Sequence, residues 1–242
     1  MNRNIITILI VCLLTSCNNR NQSSSESGKP AGEAIMPDTV NNLTATIQDV
    51  DGNVYNTLRI GKQTWMKENL RTTKFNDGTP IKLVITGPEW SGTTKASYCW
   101  YNNEELSYKD LYGALYNGFA ASSDKLCPQH WHVPSDAEWN ALSRFLGGDK
   151  IAGGKLKEAG YDYWVNPNTA ADNSSGFSAL PGGLRYSDGV FHDFGFSAYF
   201  WTSEQASSGK YWFRYMDYEY SELFRFNNSV NIGFSIRCVR DY

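Results

Sequence analysis

The sequence predicts a β-rich α+β domain with long loops, and three observations carry that reading. Aromatic residues form 14% of the 242-residue chain, and glycine occurs 21 times. Bulky rings pack well across pleated strands, and glycine supplies the turns between them. The stretch 126–147, LCPQHWHVPSDAEWNALSRFLG, marks a helix and its approach. Residues 198–240 alternate aromatic runs with turn-forming residues, the pattern of an antiparallel sheet. The net charge of −3 gives no basic face, so no nucleic-acid partner is expected.

Each element follows from local chemistry. In the marked helix Ser135 is a capping residue, and Glu138, three places on, completes a capping box. Trp139, Leu142 and Leu146 recur on one apolar face, with Phe145 beside them. Gly147-Gly148 ends the helix, because glycine accepts the left-handed conformation of a C-cap. This helix is the slab on which the sheets are expected to pack.

The amino terminus reads as a targeting segment. Arg3 precedes an apolar run over 5–14 that is too short for a permanent bilayer span. Leu14-Thr15-Ser16-Cys17 follows in the order of a bacterial lipobox. That resemblance implies that residues 1–16 are a lipoprotein signal peptide and that Cys17 is the acylated first mature residue. Its acyl chains are the contact with the bacterial membrane. Asn18 at the next position suits outer-membrane delivery, facing either the periplasm or the exterior. Residues 17–42 are polar, rich in Asn, Ser, Gly and Pro, and without an aromatic residue. They read as a flexible tether. Residues 43–242 form the single folded domain.

Within that domain, residues 44–60 read as a hairpin about Asp51-Gly52, with Val54, Leu58 and Ile60 on one face. A further run covers 63–70, a turn falls at Asn76-Asp77-Gly78, and a short strand covers 80–85. Trp90 anchors a loop. An aromatic strand covers 98–102. Tyr112–Tyr116 starts a short helix that buries Leu111, Leu115 and Phe119. A second helix covers Ile151–Glu158. Residues 161–183 form a long loop pinned by Phe177 and Leu180, and a second hairpin turns at Ser187-Asp188-Gly189. Strands follow at 198–203, 210–217, 223–227 and 233–240. In the last, Ile232, Phe234, Ile236 and Cys238 share parity, and the strand lies inside a sheet to close the domain on itself.

Behind the signal, Cys99, Cys127 and Cys238 remain beside Cys17. An exported domain can form a disulfide. Cys127–Cys238 is the favoured pair, since it joins the approach of the main helix to the last strand. Cys99 is the spare, or the alternative partner. No CxxC or close Cys/His group suggests zinc.

Several blocks then line up in order: DGNVYNTLRIGKQTWMKENLRTTKFNDGTPI, SYCWYNN, YGALYNGFAA, LCPQHWHVPSDAEWNALSRFLGG, AGGKLKEAG, NSSGFSALPGGLRYSDGVF, YFWTSE and NIGFSIRCVRD. This set resembles the Fibrobacter succinogenes major paralogous domain, a family of exported proteins of Fibrobacter and Bacteroidetes, over about residues 46–241. Gln129-His130 and Gly118 depart from the usual family residues. The LCP–W–VP–AEW stretch and the closing Cys strand are similar to those of C-type-lectin-like and formylglycine-generating-enzyme-like domains. That similarity implies a C-type-lectin-like α+β fold, with two main helices flanking twisted antiparallel strands and long structured loops. It implies no chemistry. The lectin calcium signature is absent, and the oxidase cysteine pair has no counterpart.

Candidate sites are few. His130 and His132 flank Trp131 at a spacing that could share a metal, but read better as hydrogen-bonding groups. Ser135 is a cap, and Ser203-Glu204 has no nearby histidine, so no catalytic residues are expected. Asp172 and Asn173 are oxygen ligands of the kind calcium takes. Such loops more often form side-chain-to-backbone turns, so no cofactor is expected and calcium is the one alternative. Trp164, Tyr186, Tyr218 and Tyr220 lie in or near loops, where rings beside amides and acids suit a glycan or a protein surface. The expected function is a lipid-anchored cell-envelope binding module for carbohydrate or a partner protein. The alternatives are a structural or adhesive component of a surface assembly and, less favoured, an enzyme on polysaccharide or protein.

Overall fold

The computed structural model describes residues 45–242. The expected signal peptide, Cys17 and the expected tether lie outside the described residues. The first part of the domain contains β1 (Thr46–Gln48), β2 (Val54–Ile60), β3 (Gln63–Met66), β4 (Lys82–Leu83), α1 (Gly87–Gly92) and β5 (Ser97–Cys99). A 3-10 turn (Tyr101–Asn103) leads to α2 (Glu105–Tyr112), β6 (Leu115–Tyr116), α3 (Gly118–Ala121), β7 (Trp131–His132), α4 (Asp136–Phe145) and α5 (Asp149–Leu156). The last part contains β8 (Gly182–Arg185), β9 (Phe191–Phe194), β10 (Ser197–Ser207), β11 (Lys210–Asp217), β12 (Phe224–Ser229) and β13 (Val239–Arg240).

These strands form three sheets. Two have five strands, in the orders β1-β2-β3-β13-β7 and β12-β11-β10-β8-β9, and the third is β4-β5-β6. Pairing is mostly antiparallel, but β8–β10 and β4–β5 are parallel. The C-type-lectin-like expectation is thereby corrected. The described residues carry five α-helices and two separate five-stranded sheets, not two helices about one twisted set of strands. The missed helices are short and weakly marked. α2 has no buried residue, and α1 begins at Gly87-Pro88 with Trp90 as its one buried residue.

The main helix forms where the sequence places it. Ser135 Oγ accepts the Glu138 N–H at 3.2 Å, and the Glu138 carboxylate accepts the Ser135 N–H at 2.8 Å. Both arms of the capping box are present. Trp139, Leu142 and Leu146 face a core shared with Leu58, Ile60 and Trp65 of the first sheet and with Phe200 and Met216 of the second. Phe145 falls off this face and is exposed. The helix is thus the floor between two sheets. α5 follows after Gly147-Gly148, both at positive φ. Its Gly153 admits the backbone of the 221–222 turn and Gly154 that of Ala170, and Gly154 N–H donates to Ser221 O at 2.9 Å.

The first hairpin turns at Asp51-Gly52 as expected. Its turn is tied by Asp49, whose carboxylate accepts the Asp51 and Asn53 N–H groups and the Tyr55 hydroxyl. Val54 is exposed, while Tyr55 and Thr57 on the other face are buried. β2 therefore has core on both sides. The expected helix at Tyr112–Tyr116 does not form. Gly113 at φ 73° ends α2, and Leu115-Tyr116 pairs with β5. Leu111 is exposed accordingly. The strand expected over 98–102 stops at Cys99 and passes into the 3-10 turn.

The closing segment departs most from its expected form. Only Val239–Arg240 is a strand, and it lies between β3 and β7, inside the sheet as predicted. Upstream, Gly233, Phe234 and Ser235 make single bridges to Arg185, Tyr116 and Phe200. Ile232, Phe234, Ile236 and Cys238 are buried, and so are Ser235 and Arg237 of the opposite parity. The segment is a central thread between the sheets, not a ladder member. Cys127–Cys238 is the disulfide, with Cα atoms 6.1 Å apart, and Cys99 is a free buried thiol.

Candidate functional site

Arg237 lies on this thread, 2% exposed. Its Nε and Nη2 donate to Asn69 Oδ1 at 3.2 and 2.8 Å, and its Nη1 donates to the Phe177 carbonyl. The guanidinium stacks on the Phe177 ring at 4.1 Å. Burial pulls its pKa down to about 9, against the pull of the Glu68 and Glu158 carboxylates. It stays charged at neutral pH.

Arg237 floors a cleft of about 370 Å³. The walls include Glu68, Asp110, Glu158, Tyr163 and Asn173. Glu68 is oriented by Asn56, whose backbone and side-chain N–H groups reach its two oxygens at 2.7 Å. Glu158 accepts the Asn173 amide at 2.9 Å. Tyr163 is partly exposed at the rim. The cleft therefore offers a ring face, three carboxylates and the Lys67 ammonium over a fixed positive floor.

The four aromatic candidates part company. Trp164 is 2% exposed and donates its indole N–H to Ala179 O at 3.0 Å, so it pins the long loop and lies on no surface. Tyr186 packs edge-on against His192, and Tyr218 against Phe196. Tyr220 joins a longer row of rings. It meets Phe224, which stacks on Tyr215, which stacks on Tyr199. A parallel row runs Trp201, Phe213, Phe226 across the same three strands. Burial falls from Trp201 outward, and Tyr220 and Phe226 are exposed together on the β12 side. Strict alternation with large residues on both faces is the sequence signal for this ladder.

Asp172 and Asn173 are occupied by turns. Asp172 Oδ1 accepts the Ser174 N–H at 2.8 Å, and Asn173 Oδ1 accepts the Ser178 N–H at 2.9 Å. Among the described residues no three His, Cys, Asp or Glu side chains converge as a metal group.

His132 does not share a face with His130 at a metal. Its Nδ1 meets Asp241 Oδ1 at 2.6 Å, and its Nε2 lies 2.9 Å from Glu138 Oε1. The Glu138 hydrogen bond raises the His132 pKa to about 9, against the opposing effect of burial. For Glu138, burial pushes upward, but His132 and the Ser135 cap outweigh it and hold the carboxyl below its ordinary range. The raised histidine contributes stability fully below about pH 6.5, the ordinary histidine value. That contribution is lost as pH rises toward 9. The lowered carboxyl contributes above its ordinary range, and that part is lost on acidification. With the His132 side chain 34% exposed, solvent screening reduces the histidine contribution to about 1–2 kcal/mol. Urea titrations should show the domain weakening between about pH 6.5 and 9, and His132→Gln should flatten that slope. Equal slopes in the two proteins would remove the His132 contribution.

The Fibrobacter succinogenes major domain family model matches residues 58–240. The chain belongs to that family. No curated protein and no solved structure matches it. The family stretch of this Fibrobacter succinogenes major domain runs from within β2 to the end of β13. It contains the whole Arg237 cleft, the disulfide and the aromatic ladder. Sequence reasoning missed Arg237, Glu68, Asp110 and Glu158. The one available signal was a lone arginine inside the apolar run FSIRCV.

Proposed function

We propose that this family member is a lipid-anchored module of the cell envelope that binds carbohydrate in the Arg237 cleft. The anchor is the acylated Cys17 of an outer-membrane lipoprotein, and residues 17–42 are the tether. The observation that carries the reading is the cleft's lining. A sugar presents an apolar CH face to a ring such as Tyr163 and hydroxyls to carboxylates such as Glu158 and Asp110. Three carboxylates against the two cations Lys67 and Arg237 leave the lining net acidic, which favours neutral over acidic sugars.

A glycan array followed by calorimetry tests this. A neutral oligosaccharide should bind, and Tyr163→Ala or Glu158→Gln should each weaken it by about tenfold, or about 1.4 kcal/mol. Folded protein that binds no glycan, or variants that bind as well as the parent, would overturn the assignment. Cleavage of the bound sugar would replace binding with catalysis.

A second reading is favoured by a different observation, the exposed rings Tyr220 and Phe226 at the β12 edge of the aromatic ladder. Such rings anchor protein interfaces. They suit a partner protein or a surface assembly. Pull-down from envelope extract with the parent and with Phe226→Ser separates the two readings. Capture that depends on Phe226, without glycan binding, would favour the protein partner.

A further inference from the structure

The opposite end of β3 and β13 carries a different chemistry. Arg59 pairs with Thr64 in the β2–β3 ladder. Trp65 pairs with Val239 in the next ladder, which sets Arg240 across from Thr64. Paired residues share a face, so Arg59, Thr64 and Arg240 form a row across three strands. Their neighbours Leu58, Trp65 and Val239 point the other way, into the core. Two strand spacings separate the two arginine backbones by about 10 Å. With Lys62 and His130 the row lines an open depression of about 500 Å³.

Arg59, Lys62 and Arg240 have no carboxylate within ion-pair distance among the described residues. Arg59 Nε donates to Gly61 O at 3.0 Å, which orients its guanidinium. Asp241 and Tyr242 also line the depression, and Asp241 is held by His132 through Oδ1. A chain of net charge −3 thus gathers three unpaired cations on one open sheet face.

We propose that this face binds an acidic oligosaccharide through its carboxylates. Arg59 and Arg240 fork onto acid groups, Thr64 donates a hydroxyl between them, and Lys62 closes the turn side as a point charge. The depression holds several sugar units, and two separated guanidiniums match successive acid groups better than one small anion. The site does not depend on the Arg237 cleft, whose charge has the opposite sign.

The test is calorimetry of the purified full-length chain at low salt with tetragalacturonate, a neutral tetrasaccharide and inorganic phosphate. Tetragalacturonate should bind. Arg59→Gln and Arg240→Gln should each weaken it by about tenfold, and salt near 1 M should abolish it. Glu158→Gln, in the neutral-sugar cleft, should leave it unchanged. Both arginines are exposed, and melting curves matching the parent would confirm folded variants. Three results would overturn the site: no binding by folded protein, phosphate binding as tightly as the oligosaccharide, or arginine variants that bind like the parent.

Discussion

Trp139→Ala is expected to cost the domain about 3–5 kcal/mol, the usual range for emptying a buried tryptophan site. The ring is fully buried and lies 4.9 Å from Trp65, 5.9 Å from Phe177 and 5.6 Å from Phe200, centroid to centroid. These partners come from the first sheet, the long loop and the second sheet. The cavity would open where three parts of the structure meet, and none of them can close it without leaving the others. Trp139→Phe should be far milder. The indole N–H has no hydrogen-bond partner among the described residues. Removing an unpaired buried donor recovers about 1–3 kcal/mol, which offsets much of the lost area. Urea denaturation of the three proteins, with equal m-values, reads both effects. An alanine variant within about 1 kcal/mol of the parent would mean that the helix is not the floor of the domain.

The main helix was legible because its signals are local. A cap, its reciprocal glutamate, an apolar stripe and a double glycine all fall within fourteen residues, and each acts through the nearest turn of backbone. The hairpin turns at Asp51-Gly52 and Ser187-Asp188-Gly189 were legible for the same reason. The closing thread was not. Its parity named one buried set correctly, but Ser235 and Arg237 are buried by other elements that cover its second face, and no local pattern encodes that cover. The lectin-like expectation failed in the same way. It took short motifs around the helix as a guide to the rest, while the first sheet is completed by β13, which pairs with β3 from the far end of the domain. The candidate site shows the limit most clearly. Glu68, Asp110, Glu158 and Arg237 are spread over 170 positions and converge only on folding. Loop position led to Trp164, which the fold uses as a pin. Exposure depends on what packs above a residue, and local sequence does not carry that.

Opening the Cys127–Cys238 bond is the other large expected effect. The bond sits in the core among Trp131, Val133, Ile236 and Met66, and it links residues 111 apart in sequence. Closing a loop of that length restricts the unfolded chain by about 4–5 kcal/mol on the loop-entropy account, within a usual measured range of about 2–5. Cys127→Ser and Cys238→Ser should each lower the melting temperature by about 5–15 °C, at about 2–4 °C per kcal/mol for a domain of this size. A reductant should lower the parent to the same level and leave the serine variants where they are. Cys99 supplies the control. Burial pushes its thiol up to about 12, so it is inert toward exchange at neutral pH, and Cys99→Ser should leave the response to reductant intact. A parent melting curve unmoved by a reductant that demonstrably frees both thiols would show that the closing thread is held by packing alone. A large drop would tie the fold to an oxidising compartment, the condition that export to the cell envelope would supply.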